Sequence, residues 1–335
     1  MKPEEAAANA LEAVFMATPG ESLLVLADDD RLDVAEAFSE GGLKLSLWVR
    51  RLVLKTRRRH RTEPSTHLVE ALTNSKPSIF VNILRGPAEE APFRIRVINL
   101  ETRAGFSRLG HCPGIDTDML THGALALSLK EHRKMQRHGL RLIHLLEGSE
   151  EIQVTSPGGS DFQLSVKGRV FWTDTQFDWK TKQWLNLPTG EVIVGPVENS
   201  LNGVVVADVA VGGIGPLTQP VTIEASGGRA EKVKCSDAKV LRRVMQALNV
   251  DQMARYVGEW AIGLNPKARL VKEFLETEKL AGTTHVAFGH NLDYPGEVRN
   301  NSSNHMDFLI SKPNVTAVYS DGEEGQIMRS GRLVL

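Results

Sequence analysis

Apolar residues recur in two rhythms along this chain, and the rhythm changes near residue 145. Between Pro3 and Met16, Leu11, Val14 and Phe15 fall at helical spacing. Glu21–Ala27 (ESLLVLA) is a short continuous apolar run after Pro-Gly, as expected of a buried strand. Arg31–Ser39 returns to helical spacing, Leu43–Val53 reads as a second strand, Thr66–Leu72 as a short helix and Ser78–Leu84 as a third strand. Asp116–Arg137 is the longest helical pattern, with Asp116 in a capping position and Gly139 as its stop. Strands separated by helices predict a parallel sheet covered on both faces.

Beyond residue 145 the pattern turns to short alternating runs. Glu151–Lys167 is interrupted by Ser-Pro-Gly-Gly at 156–159, a turn signal. Val204–Val211, Val221–Ala225, His285–Phe288, Phe308–Ile310 and Val315–Tyr319 read as strands, and Lys239–Asn249 and Pro266–Thr277 as helices. The expected organisation is an α/β domain over residues 1–145 and a β-rich α+β domain over 146–335.

Composition narrows the picture. A chain of 335 residues, 41% of them hydrophobic, is long enough for two domains and too apolar for wholesale disorder. With 40 Lys+Arg against 41 Asp+Glu, a general nucleic-acid binder is not expected. No apolar run approaches the ~20 residues that span a bilayer. The acidic start, MKPEEAAANALEAVF, is unlike a signal peptide. Two cysteines, Cys112 and Cys235, exclude both a disulfide framework and a Cys-rich zinc site. A cytoplasmic protein is the expectation. The basic run Arg50, Arg51, Lys55, Arg57, Arg58, Arg59 and Arg61 reads as a solvated loop between a strand and a helix.

Candidate chemistry gathers late in the chain. Gly-x-Ser-x-Gly, P-loop and His-Glu-x-x-His patterns are absent. His111, in Gly-His-Cys-Pro-Gly, reads as a structural turn, and His132 and His138 as solvated residues on a polar helix face. His305 and Asp307, two apart on a strand, would project from one face as an imidazole–carboxylate pair able to bind a divalent ion. His285 opens another apolar strand. Glu191 opens the strand after Pro-Thr-Gly, and Glu259 sits in Gly-Glu-Trp-Ala-Ile-Gly. A carboxylate in such apolar surroundings costs several kcal/mol unless a partner satisfies it. A metal ion or a basic side chain would each serve, and the residues alone leave both open.

Four stretches, NLPTGEVIVGP (186–196), GEWAIGLNP (258–266), ETEKLAGTTHVAFG (276–289) and NHMDFLI (304–310), together resemble the aminopeptidase T family of metalloaminopeptidases. The resemblance is clear from about residue 185 onward. It implies that Glu191, Glu259, His285, His305 and Asp307 hold two divalent ions (zinc, cobalt or manganese), with Glu259 as the bridge. It implies a peptide substrate and a homodimer, with no nucleic-acid or membrane partner. Glu278-Lys279 matches the family's Glu-Lys pair and reads as architectural. The family's assisting tyrosine falls on Leu292, with Tyr294 two residues further on as its candidate replacement. A second branch, similar to the 2,5-dihydroxypyridine dioxygenases, would hold a single iron on His285, His305 and Asp307. A non-catalytic peptide-binding relative is the third reading.

Overall fold

The computed structural model describes residues 1–56, 59–103, 105–178 and 184–335. Two compact units emerge, one built from residues 1–136 and 174–189, the other from 137–173 and 190–335. The chain thus crosses between units at three places, against the one crossing expected near residue 145.

The first unit is an α/β fold around a five-stranded parallel sheet, ordered Trp48–Leu54, Ser22–Asp28, Ile79–Ile83, Arg108–His111 and Trp184–Asn186. Alternation along a strand sends successive side chains to opposite faces. Leu23, Val25 and Ala27 accordingly join one core with Phe38 and Val81, while Leu24 and Leu26 join another with Phe80 and Phe93. Burial on both faces explains why these strands read as continuous apolar runs.

The second unit is β-rich, with an eight-stranded and a seven-stranded sheet among its described residues. All the strand pairings within them are antiparallel. The seven-stranded sheet runs in the order Gly215–Pro216, Ala210–Val211, His305–Ser311, Thr283–Gly289, Val257–Gly263, Glu191–Val194 and Trp172–Thr173.

Several expectations are corrected. The Asp116–Arg137 pattern is two helices, Thr117–Thr121 and Leu129–Leu146. Asp116 caps the first by accepting from Met119 N at 2.9 Å. Ser128 and Glu131 cap the second reciprocally, a capping box that restarts the helix. Gly139 does not stop that helix; a Cβ there would lie 3.1 Å from Thr173 Oγ1, so close packing accounts for it. His132 is buried rather than solvated, and loss of solvation pushes its pKa down to about 4. The Ala91–Thr102 helix carries Phe93, Ile95 and Val97 in strand-like alternation, which conceals its helical period. Of Pro266–Thr277 only Phe274–Thr277 is helical, because Asn265 Oδ1 captures Lys267 N and Ala268 N in a turn.

The basic run is also reshaped. Arg61 is mostly buried, bonding both oxygens of Asp28 at 2.5 and 2.7 Å and Glu90 at 2.7 Å. It therefore closes an internal ion-pair network instead of meeting solvent. Arg57 and Arg58 lie outside the described residues. Among the described residues no helix is long and apolar enough to cross a membrane.

Candidate metal centre

Four neighbouring strands of the seven-stranded sheet supply the clustered side chains. In register, Glu259 faces Ala287, which faces Asp307; Ala261 faces His285, and Gly263 faces Glu191. Counting in twos along each strand places Glu191, Glu259, His285, His305 and Asp307 on one face. Ala261 and Ala287 share that face, and their small side chains leave room for the larger ones to converge. A β-bulge between Val257 and Glu259 makes Gly258 the extra residue and re-aims Glu259.

The convergence is tight and centres on Glu259. His285 Nε2 lies 3.2 Å from Glu259 Oε1, and His305 Nε2 lies 3.1 Å from Glu259 Oε2. Asp307 Oδ1 is 3.4 Å from His305 Nε2 and 4.0 Å from His285 Nε2. Glu191 Oε2 is 3.6 Å from His285 Nε2, while its Oε1 accepts from the ammonium of Lys279. His305 Nδ1 donates to the carbonyl of His290 at 2.8 Å, which turns Nε2 toward the carboxylates. Potential donor atoms of Glu191, Glu259 and His285 lie within 4.8 Å of one another, as do those of Glu259, His305 and Asp307. Glu259 is common to both groups.

Electrostatics follows from this crowding. Burial disfavours the charged forms of His285, His305 and Glu259, yet their mutual pairing overrides it. The Glu259 hydrogen bond and charge, with Glu191 and Asp307, carry His285 up to about 9 against its burial. Asp307 and Glu259 hold His305 well above its usual value, again against burial. Burial opposes ionisation of Glu259, but its bonds to the two imidazoles keep it well below the usual carboxylate range. Three carboxylates in one small volume call for cationic neighbours. Two oxygen-rich groups of mixed carboxylate and imidazole donors, free of sulfur, fit divalent ions of borderline hardness.

Two further groups complete the surroundings. Lys279 is fully buried, on Glu191 and 2.9 Å from Glu278 Oε1. Burial pushes Glu278 up to about 7, and Lys279 pulls against that rise. Thus the Glu278-Lys279 pair is joined directly to the cluster, a link that spacing along the chain does not reveal. Tyr294, half-buried, donates its hydroxyl hydrogen bond to Glu259 Oε2, whereas Leu292 is exposed. The Tyr294 ring stands edge-on to Trp172 at 5.6 Å and to His305 at 6.4 Å.

Residues 128–333 match the family model for thermophilic metalloproteases (M29). The chain belongs to this family. Over 169 residues it is 32% identical to aminopeptidase T of Thermus thermophilus and 31% identical to aminopeptidase T of Thermus aquaticus. Each match takes in 45% of this chain and 40% of the relative, so the chain spans about two fifths of the length of these curated proteins. Wild-type AmpT from Thermus thermophilus superposes with a TM-score of 0.71 at 19% identity, over 100% of this chain and 99% of the other. The 2,5-dihydroxypyridine dioxygenase of Pseudomonas putida KT2440 superposes with a TM-score of 0.72 at 17% identity, over 99% and 96%. At such identities the two likenesses establish a shared fold. As a metalloprotease-family member, the chain is expected to use divalent metal ions.

Proposed function

We propose that this protein is a metal-dependent aminopeptidase, removing the N-terminal residue of peptides with two divalent ions held by Glu191, Glu259, His285, His305 and Asp307. The observation that carries this reading is Glu259, whose two oxygens face separate three-donor groups. One bridging carboxylate between two ions is the arrangement of two-metal hydrolases. The donors suit zinc, cobalt or manganese. Bound ions of this kind polarise a carbonyl and bring the pKa of a water toward neutrality. The chain's own groups do the rest. Glu259, kept ionised by its bonds to the two imidazoles, supplies the negative charge that the two donor groups share. The Tyr294 hydroxyl offers a hydrogen-bond donor beside the same carboxylate, where a developing oxyanion would gain most from it. Trp172, Ile193 and Tyr294 set an apolar surface alongside.

The single-iron reading has one observation in its favour: His285, His305 and Asp307 do converge. Glu191 and Glu259 at the same centre favour the carboxylate-rich site. Metal analysis joined to hydrolysis of Leu-para-nitroanilide and short peptides decides. Two ions per chain with metal-dependent release of the N-terminal residue is the expected result. One iron per chain with oxygen uptake on a dihydroxypyridine would replace it with the dioxygenase reading. Peptide binding without cleavage under every divalent metal would leave a non-catalytic relative. We further place the protein in the cytoplasm as a homodimer; light scattering that shows only a 36.9 kDa species would remove the dimer.

A further inference from the structure

We propose that Glu198, none of whose hydrogen bonds reaches the five clustered side chains, is the positioning residue that holds Tyr294 against Glu259. The inference rests on the aminopeptidase reading for what Tyr294 does, and on geometry alone for how it is held.

Tyr294 lies in the segment that leaves the Thr283–Gly289 strand and returns as His305–Ser311. Residues 290–300 form no strand or helix, and Pro295 and Gly296 sit at their centre, so no ladder of backbone bonds holds the segment. Its ends are tied by Asn291 N to Asn300 O at 3.0 Å and by Asn300 N to Asn291 Oδ1 at 2.8 Å. Tyr294 N donates to Asn291 O at 2.9 Å, so the position of the tyrosine follows that of Asn291. Asn291 Nδ2 in turn donates to Glu198 Oε1 at 3.2 Å. The same oxygen accepts from Arg299 N at 2.7 Å. Glu198 Oε2 accepts from Arg169 Nη2 at 2.7 Å, and Arg169 Nη1 reaches on to the carbonyl of Glu297.

One mostly buried carboxylate thereby fastens the segment at residues 291 and 299 directly and at 297 through Arg169. Packing agrees: a Cβ on Gly195 would meet Val298 Cγ1 at 2.7 Å, so the segment lies flush on the chain leading to Glu198. Charge-assisted bonds of this kind are the strong ones, and a buried carboxylate that accepts three of them locks its donors in place. Without Glu198, Asn291 and Arg299 lose their shared anchor, and the segment's far end keeps Asn300 Nδ2, which donates to the carbonyls of Met253 at 3.2 Å and Tyr256 at 3.1 Å.

The test compares Glu198→Ala and Glu198→Gln with Tyr294→Phe and with the double variant Glu198→Ala/Tyr294→Phe. Amide hydrogen exchange should accelerate about tenfold or more over residues 291–300 in Glu198→Ala and stay unchanged in the Val257–Gly263 strand. Cobalt titration should give the same number of ions per chain in all variants. The visible spectrum of the cobalt-loaded Glu198→Ala protein should move to that of Tyr294→Phe. Glu198→Gln, which keeps one acceptor oxygen but loses the charge facing Arg169, should fall between and guards against a misfolded Ala variant. In turnover, Glu198→Ala should lower kcat about tenfold with little change in KM, and the double variant should be no slower than Tyr294→Phe. Wild-type exchange over 291–300, a wild-type cobalt spectrum, or additive losses in the double variant would each overturn the proposal. Should the wild-type protein cleave no peptide, the aminopeptidase reading fails while exchange and spectrum still decide the role of Glu198.

Discussion

Glu191 carries a different load on each oxygen, Lys279 on one and the His285 side of the cluster on the other. Glu191→Gln keeps an acceptor for Lys279 while weakening a ligand, and so separates the two roles. If the ions bind as proposed, chelation lowers the melting temperature of the wild type by several degrees, since binding at a hundredfold excess over Kd is worth about 2.7 kcal/mol. Glu191→Gln should remove most of that metal-dependent shift; a shift that survives intact would make Glu191 only the partner of Lys279. A second buried carboxyl, outside this cluster, is informative as well. In the first unit Glu101 accepts from Asn82 Nδ2 at 2.8 Å, and Asn82 Oδ1 accepts from His111 Nδ1 at 2.5 Å. Burial, opposed only by the Asn82 bond, raises Glu101 to about 8. A carboxyl whose pKa rises on folding contributes stability that is complete below its unfolded pKa and is lost as pH climbs through the folded one. Between about pH 4.5 and 8 the unfolded chain ionises Glu101 while the fold keeps it neutral, which lowers stability by on the order of 5 kcal/mol in all. Glu101→Gln should stabilise the protein relative to wild type at pH 9 and lose that advantage by pH 5 in chemical denaturation; an equal effect at both would refute the buried neutral acid.

At the scale of the element, the bulge at Gly258 decides where Glu259 points. A Cβ on Gly258 would lie 2.2 Å from the carbonyl oxygen of Gly289, so the neighbouring backbone would have to move. Gly258→Ala should therefore displace Glu259 as well as cost stability. The expected outcome is a destabilisation of about 2–4 kcal/mol, together with loss of metal stoichiometry in the folded fraction. A folded Gly258→Ala protein with full metal content would show that the bulge is tolerant. The same strand explains why its neighbours read so clearly: Val257–Gly263 and Thr283–Gly289 are buried from end to end, and each polar residue on them stands out against apolar companions.

For the molecule as a whole, every proposed ligand belongs to the second unit, as do Lys279, Tyr294 and Glu198. Removal of the ions should be felt there. We expect chelation to speed amide exchange in the Glu191–Val194, Val257–Gly263, Thr283–Gly289 and His305–Ser311 strands and to leave the parallel sheet of the first unit unchanged. Uniform acceleration across both units would instead mean that the ions support the fold globally. The first unit closes the C-terminal ends of its central strands with Asp28, Arg61, Arg85 and Glu90. Four charged side chains that satisfy one another explain how part of a strongly basic stretch comes to be internal.

What the chain's own pattern determined is what depends on neighbours a few residues away. The alternation of strands and helices in the first unit, the capping role of Asp116, and the oddity of Glu191, Glu259, His285, His305 and Asp307 among apolar residues all follow from local spacing and the cost of burying charge. Tertiary structure alone decided the rest. Trp184–Asn186 joins the parallel sheet beside Arg108–His111 after more than seventy intervening residues, and no local period announces it. Lys279 meets Glu191 across 88 positions and Asn291 meets Glu198 across 93. Partners that far apart leave no periodic trace, because a single hydrogen bond constrains two residue types and nothing between them. Tyr294 rather than Leu292 reaches Glu259 for the same reason: residues 290–300 are fastened by Glu198 and Arg169, which lie far off in the sequence, as well as by the bonds between Asn291 and Asn300.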